Sequence, residues 1–420
     1  MAENLPERKS GEDYPLSEIP RESLRGFWSN AVVLLGFTFF TATMWGGGKL
    51  GTGLPFRTML WTVGVGNLLL GIYVAVLGLA AQRSGLNTVV LARFSFGEWG
   101  SKLTDLLLGV TQIGWYAWGT ATIAIMFVRL LNLPAGLEKP LMVVFGLLFC
   151  WTAYVGYRGL EVLSVAAVPM MTILIFWSFG RATNDIGGWA KLWAVTPTQP
   201  ISIREAITIV FGTFVSGGTQ ATNWTRFART GKVALGASLM AFFIGNGLMV
   251  FSGAYGALVY QQPDIVEVLR LQNLLGWGIL MLVLNIWTTQ DNTIYNFSVA
   301  GCNLFRTPRR QALTFGGAIL GTILAILGMY NWLVPWLILL GTIIPPVGGI
   351  IMADYWLVRR GRLPRVAEAV LPAFNWAGLA AYAAACVISF KAPGIPPVNG
   401  ILAGLIIYPV ALSLTRRIMS

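Results

Sequence analysis

Long apolar runs set the terms for this chain. Stretches of about 20 residues, the length that carries a helix across the hydrocarbon core of a bilayer, recur about twelve times along it. Only 11% of the residues are charged, where a soluble domain carries roughly 25%. Such a composition cannot clothe a water-soluble surface. A backbone in lipid must satisfy its own hydrogen bonds, which favours helices, and the short alternating strands of an outer-membrane barrel are missing. The expected fold is all-α and integral to the membrane. Its spans fall near 28–49, 57–82, 102–131, 139–157, 160–180, 204–227, 231–260, 273–300, 311–329, 331–358, 372–390 and 396–415.

Residues 1–27 are polar, mixed in charge and without an apolar signal core. They read as a flexible cytoplasmic tail rather than a cleaved leader. With that tail inside and the spans alternating, 20 of the 29 Lys and Arg residues fall in inside segments. The positive-inside bias thus places both termini in the cytoplasm. The net charge of +12 is this topology signal, and nucleic-acid binding is not expected, because no basic soluble face exists. The chain has no histidine and three dispersed cysteines, Cys150, Cys302 and Cys386. That removes Ser–His catalysis and His-based metal sites, and no phosphate loop of the G-x-x-x-x-G-K type is present. An enzyme is not expected.

The hydrophilic stretch 181–200 divides the chain into five spans and then seven, and "RRGRLPR" sets off the last two. Five plus five plus two suggests an inverted repeat, 28–180 and 204–358, followed by two extra helices at 372–415. Transporters built this way place their site at discontinuous helices near the midplane. The first span reads "LLGFTFFTATMWGGGK" and its sixth-span counterpart "VFGTFVSGGTQATNW". Glycine weakens a helix and Ser/Thr satisfy freed backbone groups, so each can unwind at mid-membrane. Close helix packing is the plainer use of such glycines.

Three clusters carry chemistry. The third span holds "GVTQIGWYAWG", where Gln112 and Trp115 share one helix face. An amide with adjacent donor and acceptor, beside a flat indole, suits a planar neutral heterocycle, with Phe214 of the sixth span closing the other face. Backbone groups near Thr213 and Gly217 complete the edge. The eighth span holds "LNIWTTQDNTIYN". Thr288 and Thr289 either bond their own helix or, with carbonyls near Gly36 and Phe39, ligate a sodium ion. Asp291 is an acid inside a span, expected either in the transport pathway or as an interhelical anchor to Tyr295 or Asn292.

Six segments in order, "LGFTFFTATMWGGGKLGTGL", "GNLLLGIY", "LARFSFG", "GVTQIGW", "LNIWTTQDN" and "IIPPVGGIIMADY", resemble the cytosine permeases of the nucleobase:cation symport family. The likeness runs from about Gly36 to the last helix. It implies a twelve-helix, LeuT-like fold, working by alternating access as a monomer in the bacterial inner membrane and coupling cytosine import to sodium. Carried over by position, sodium takes the carbonyls of Gly36, Phe39 and Asn285 and the hydroxyls of Thr288 and Thr289. Substrate takes Gln112, Trp115, Thr213, Phe214, Gly217 and Gln290. No cofactor beyond the coupling ion is implied, and Asp291 orders the Gln290 region or couples protons. Serine is usual where Thr213 stands, alanine at Gly217, asparagine at Gln290 and an apolar residue at Gln220. These departures leave uracil, a purine or a thiamine-precursor pyrimidine open as cargo, as well as a base sensor that does not transport.

Overall fold

In the computed structural model, which describes residues 13–419, the chain is helical, with no strand among the described residues. Among the described residues seven helices are long and apolar enough to cross a membrane unaided, and Phe27–Thr38 with Thr41–Gly53 form an eighth span bent by 58°. The broken pair Ile203–Thr219 and Thr222–Thr225, the polar helix Leu275–Phe305, and the shorter helices Arg310–Ile326 and Trp376–Lys391 complete twelve. The spans are numbered below in chain order.

Local chemistry sets the ends. The second span, Phe56–Ser84, stops at Gly85, whose φ of 72° is the left-handed conformation that glycine adopts without strain. Asn87 then caps Thr88–Phe96, a short helix joining the second and third spans. The sixth span opens on an N-cap: the Ser202 hydroxyl accepts from the Glu205 N–H at 3.1 Å. The predicted hydrophilic divider is shorter than expected, because the fifth span runs on to Asp185 and Trp189–Leu192 forms a further turn.

Both expected breaks are present. In the first span the Phe40 N–H turns to the Thr38 carbonyl at 2.9 Å, so the Gly36 carbonyl has left the helical ladder. The sixth span stops at Thr219 and resumes for one turn at Thr222. The eighth span between them is unbroken for 31 residues. Its polar run serves several neighbours at once: Asn285 accepts from Thr41, Gln290 donates to Tyr116, Asp291 accepts from Thr152, and Asn296 accepts from Asn223.

The tail departs from expectation. Residues 1–12 lie outside the described residues, but from Asp13 onward the segment is docked against the helices. Ile19 N–H donates to the Gly85 carbonyl, Arg25 N–H to that of Phe227, and Asn87 to that of Pro15. Asp13 is buried between two arginines, its carboxylate 3.2 Å from Arg310 and its carbonyl accepting from Arg226.

Candidate binding site between the broken spans

The two breaks face the third and eighth spans across a small enclosed cavity. Its walls include Phe37 and Phe40, Gln112 and Trp115, Thr213, Phe214 and Gly217, and Thr289 and Thr293. Phe37 packs edge-on to Phe214 at 5.0 Å, and Phe40 edge-on to Trp115 at 5.6 Å. Gly217 allows this approach, since a Cβ there would sit 2.5 Å from the Phe37 ring. The enclosed space is about 10 Å³, close to the room one water needs. A planar ring enters only if the walls move apart.

Five of the six predicted substrate residues therefore line one cavity. Their hydrogen-bonding states differ. Trp115 donates its indole N–H to Ser216 at 3.2 Å, leaving its ring face for stacking. Gln112 is 1% exposed, and neither its amide oxygen nor its nitrogen has a partner among the described residues. Leaving such a group unpaired costs about 1–3 kcal/mol, so it stands ready for a ligand with a donor beside an acceptor.

Gln290 is the exception. Its amide donates to the Tyr116 carbonyl at 2.6 Å and to Thr120 at 3.1 Å, so it faces the third span and is not part of the cavity wall. Adjacent helical residues point about 100° apart: Thr289 faces the cavity and Gln290 turns away. Asp291 turns further still. Its carboxylate accepts from Thr152 of the fourth span and from Asn292, each at 2.9 Å, and Tyr295 lies instead against Arg310. Sequence reasoning missed Phe37, Phe40, Ser216 and Thr293. The two phenylalanines flank the first break in "GFTFF", and that was their signal. Thr293, one turn beyond Thr289, was detectable only by helical spacing.

Four of the five predicted cation ligands come together, with the Phe37 carbonyl rather than that of Gly36 beside them. The Thr289 hydroxyl lies 3.2 Å from the Phe37 carbonyl, 3.3 Å from that of Phe39 and 3.2 Å from that of Asn285. Thr288 lies 3.0 Å from the same Asn285 carbonyl. One hydroxyl has one proton, so it cannot satisfy three carbonyls. The surplus oxygen lone pairs fit a hard cation, and no carboxylate belongs to the set. Among the described residues no three His, Cys, Asp or Glu side chains gather into a metal site.

The spans are closed toward the tail by polar contacts. Gln220 donates to the Leu108 carbonyl at 3.4 Å, and Asn223 to Asn296 at 2.6 Å. Arg226 donates to the carbonyls of Asp13, Tyr14 and Asn223. Burial pushes the Asp13 carboxyl above the usual carboxylate range, with the Arg310 and Arg226 guanidiniums pulling the other way. On the opposite side the closure is aromatic. Trp118 meets Phe40 at 5.5 Å and Trp45 at 5.3 Å, beneath an outer cavity of about 250 Å³ bordered by Arg129, Asp264 and Tyr330.

Two broken helices beside a small aromatic cavity, closed by different contacts on its two sides, are the arrangement of a membrane transporter, and the family to which the chain belongs makes it a transporter rather than an enzyme. Residues 18–410 match the family described as permeases for cytosine/purines, uracil, thiamine and allantoin, and the chain belongs to that family. It is 41% identical to the cytosine permease of Escherichia coli K12 over 399 residues, 95% of this chain and 94% of that one. It is 25% identical to the hydantoin permease of Microbacterium maritypicum, over 79% of this chain and 74% of that protein. Among solved structures it superposes on Mhp1, a nucleobase-cation-symport-1 family transporter in a closed conformation with bromovinylhydantoin bound, with TM-score 0.86 and 18% identity over 96% of this chain and 95% of that one. The inward-facing conformation of Mhp1 gives 0.81 at 19% identity, over 96% and 93%. A sodium-coupled sialic acid symporter shares the LeuT-type fold with TM-score 0.67 at 13% identity, over 97% and 93%.

Proposed function

We propose that the protein imports a nucleobase, cytosine first, in symport with sodium across the bacterial inner membrane, as a monomer with both termini in the cytoplasm. The observation that carries this reading is the Gln112 amide: buried, unpartnered at both ends, and set beside Trp115 and Phe214. A base stacks on the aromatic walls and presents a donor and an acceptor side by side to that amide. The 41% identity to a cytosine permease favours cytosine. Uracil, purines and the thiamine-precursor pyrimidine remain the competing cargoes, because Thr213, Gly217 and Gln290 depart from the residues usual at those positions.

The coupling follows from the shared oxygens. Sodium held by the Gly36, Phe39 and Asn285 carbonyls and the Thr288 and Thr289 hydroxyls would tie the first break to the eighth span. Phe37 and Phe40 flank that same break and wall the cavity, so the ion and the base each favour the arrangement the other needs. The tail side is assigned to the cytoplasm by its Lys and Arg content.

The test is thermal stabilisation of the purified protein by a panel of bases in sodium and in potassium, followed by uptake into liposomes. A ligand that binds only the folded form raises the melting temperature. Cytosine should stabilise most, and more in sodium, and Thr289→Val should remove the sodium increment. Stabilisation by another base reassigns the cargo. Equal shifts in the two salts, with uptake driven by a proton gradient alone, overturn sodium coupling. Binding without uptake makes the protein a sensor.

A further inference from the structure

A hydrogen-bonded relay outside the cavity fixes what the Thr213 hydroxyl can say to a ligand. It begins in the second span, where the Asn67 amide nitrogen donates to the Val63 carbonyl at 2.9 Å. A backbone carbonyl only accepts, so this contact settles which end of the Asn67 amide is nitrogen. The Asn67 oxygen therefore faces Asn246 of the seventh span. It accepts from the Asn246 amide nitrogen at 2.7 Å, which settles the orientation of Asn246 in turn. That nitrogen also donates to the Thr213 hydroxyl at 3.0 Å.

The far end is fixed as firmly. The Thr213 hydroxyl lies 2.6 Å from the Val210 carbonyl, a second group that only accepts, so the hydroxyl proton lies on that line. Asn67 and Asn246 are fully buried and Thr213 is 2% exposed, so bulk water does not reach these positions. Asn246 follows a π-helical turn, Met240–Gly245, whose extra residue shifts the helical register just before it. Such turns recur at functional sites.

A threonine hydroxyl has one donor and two acceptor positions. Here the donor is spent on Val210 and one lone pair on Asn246. One lone pair is left for the cavity. We infer that Thr213, which borders the cavity, is an acceptor toward it because the Val210 carbonyl holds its proton and Asn246, held in turn by Asn67, occupies one lone pair and fixes the oxygen in place: Asn246 is then a positioning residue for base selection, and the site takes bases presenting an amino N–H there and disfavours those presenting a carbonyl. The inference rests on the proposed function and sharpens it. Gln112 adapts to either polarity by turning its amide, whereas Thr213 does so only by giving up its bond to Val210. Cytosine and uracil share ring and size but differ in this way, since the 4-amino donor of one is the 4-oxo acceptor of the other.

The experiment measures binding of cytosine, uracil and pyrimidin-2-one, which lacks the amino group, to the purified full-length chain in sodium. Wild type, Asn246→Leu, Asn67→Ala and Thr213→Val are compared. Wild type should prefer cytosine, Thr213→Val should shrink the cytosine-to-uracil ratio about tenfold, the scale of one matched hydrogen bond, and Asn246→Leu, which loosens the hydroxyl, should shrink it by less. Asn67→Ala should shift the ratio the same way by less still. In the Thr213→Val background, Asn246→Leu should leave the ratio unmoved, because the relay then has nothing to orient. A purely structural asparagine lowers the melting temperature and weakens all three ligands alike, and that result overturns the relay. So does a wild type that prefers uracil. If Asn246→Leu does not fold, Asn67→Ala and Thr213→Val decide, and an unchanged ratio in both overturns it. A wild type that binds none of the three overturns the proposed function, and the inference with it. A wild type that prefers cytosine, with variants that keep the preference, overturns the inference alone.

Discussion

The two sides of the cavity are closed by different chemistry. Toward the tail, the sixth span is held to the third by Gln220 and to the eighth by Asn223, and to the docked tail by Arg226. Toward the far side, Phe40, Trp45 and Trp118 meet edge to face beneath an open cavity. Hydrogen bonds buried away from water are directional and costly to leave unmade. Aromatic edges slide and re-pair at roughly 0.5–1.5 kcal/mol each beyond their burial. A gate of the first kind opens all at once, and one of the second kind opens by degrees.

The strongest way to break this comparison is Arg226→Met. It strips the donor from the carbonyls of Asp13, Tyr14 and Asn223, and at about 1–3 kcal/mol for each buried group left unpaired the loss should be roughly 3 kcal/mol or more. A large fall in melting temperature is expected, with protease cutting within residues 13–25. An unchanged melting curve would remove the polar side's claim to be the stronger latch. Next comes Asn223→Leu, which leaves Asn296 without its donor and should cost about 1–3 kcal/mol. With the native cysteines replaced and a reporter thiol at Thr293→Cys, modification should speed up from the tail side only. Trp118→Leu keeps apolar bulk but deletes both aromatic edges. It should speed modification of the same reporter from the far side by a smaller factor, and equal acceleration from both sides would mean the two gates are one.

The smallest effect is expected for Asp13→Asn. Burial raises the Asp13 carboxyl, so the folded chain holds that proton more tightly than the unfolded one does. The associated stability is complete below a pH of about 4 and is lost as pH rises through the raised folded value. The neutral amide mimics the protonated acid, so docking should survive with a change under ~1 kcal/mol, and the melting temperature should become less sensitive to pH. A tail released by Asp13→Asn would show that the ion pair with Arg310, rather than the Arg226–carbonyl contacts, holds it.

The spans were legible because lipid leaves the backbone few options: apolar length alone placed the second span at 57–82, and it runs Phe56–Ser84. Both breaks were legible through glycine beside hydroxyl residues. Gln112 and Trp115 could be paired from their three-residue spacing. Gln290 could not be placed, because which of several adjacent polar residues faces the cavity depends on the rotation of the eighth span about its axis, and no local signal sets that. The tail was misjudged for a related reason. Asp13, Glu18 and Arg25 look like solvated charges, and only the distant Arg310, Val366 and Phe227 reveal otherwise. The Asn67–Asn246 relay joins residues 179 positions apart and leaves no mark in either segment alone.

The docked tail also bears on the order in which the molecule is made. Residues 13–25 are synthesised before the partners they contact, Gly85, Phe227, Arg310 and Val366. The segment cannot complete its contacts until most of the chain has been synthesised and inserted. A segment made early is thus among the last to settle, a non-local closure of the kind that slows folding. A fusion partner or affinity tag joined ahead of residue 13 sits on that final step.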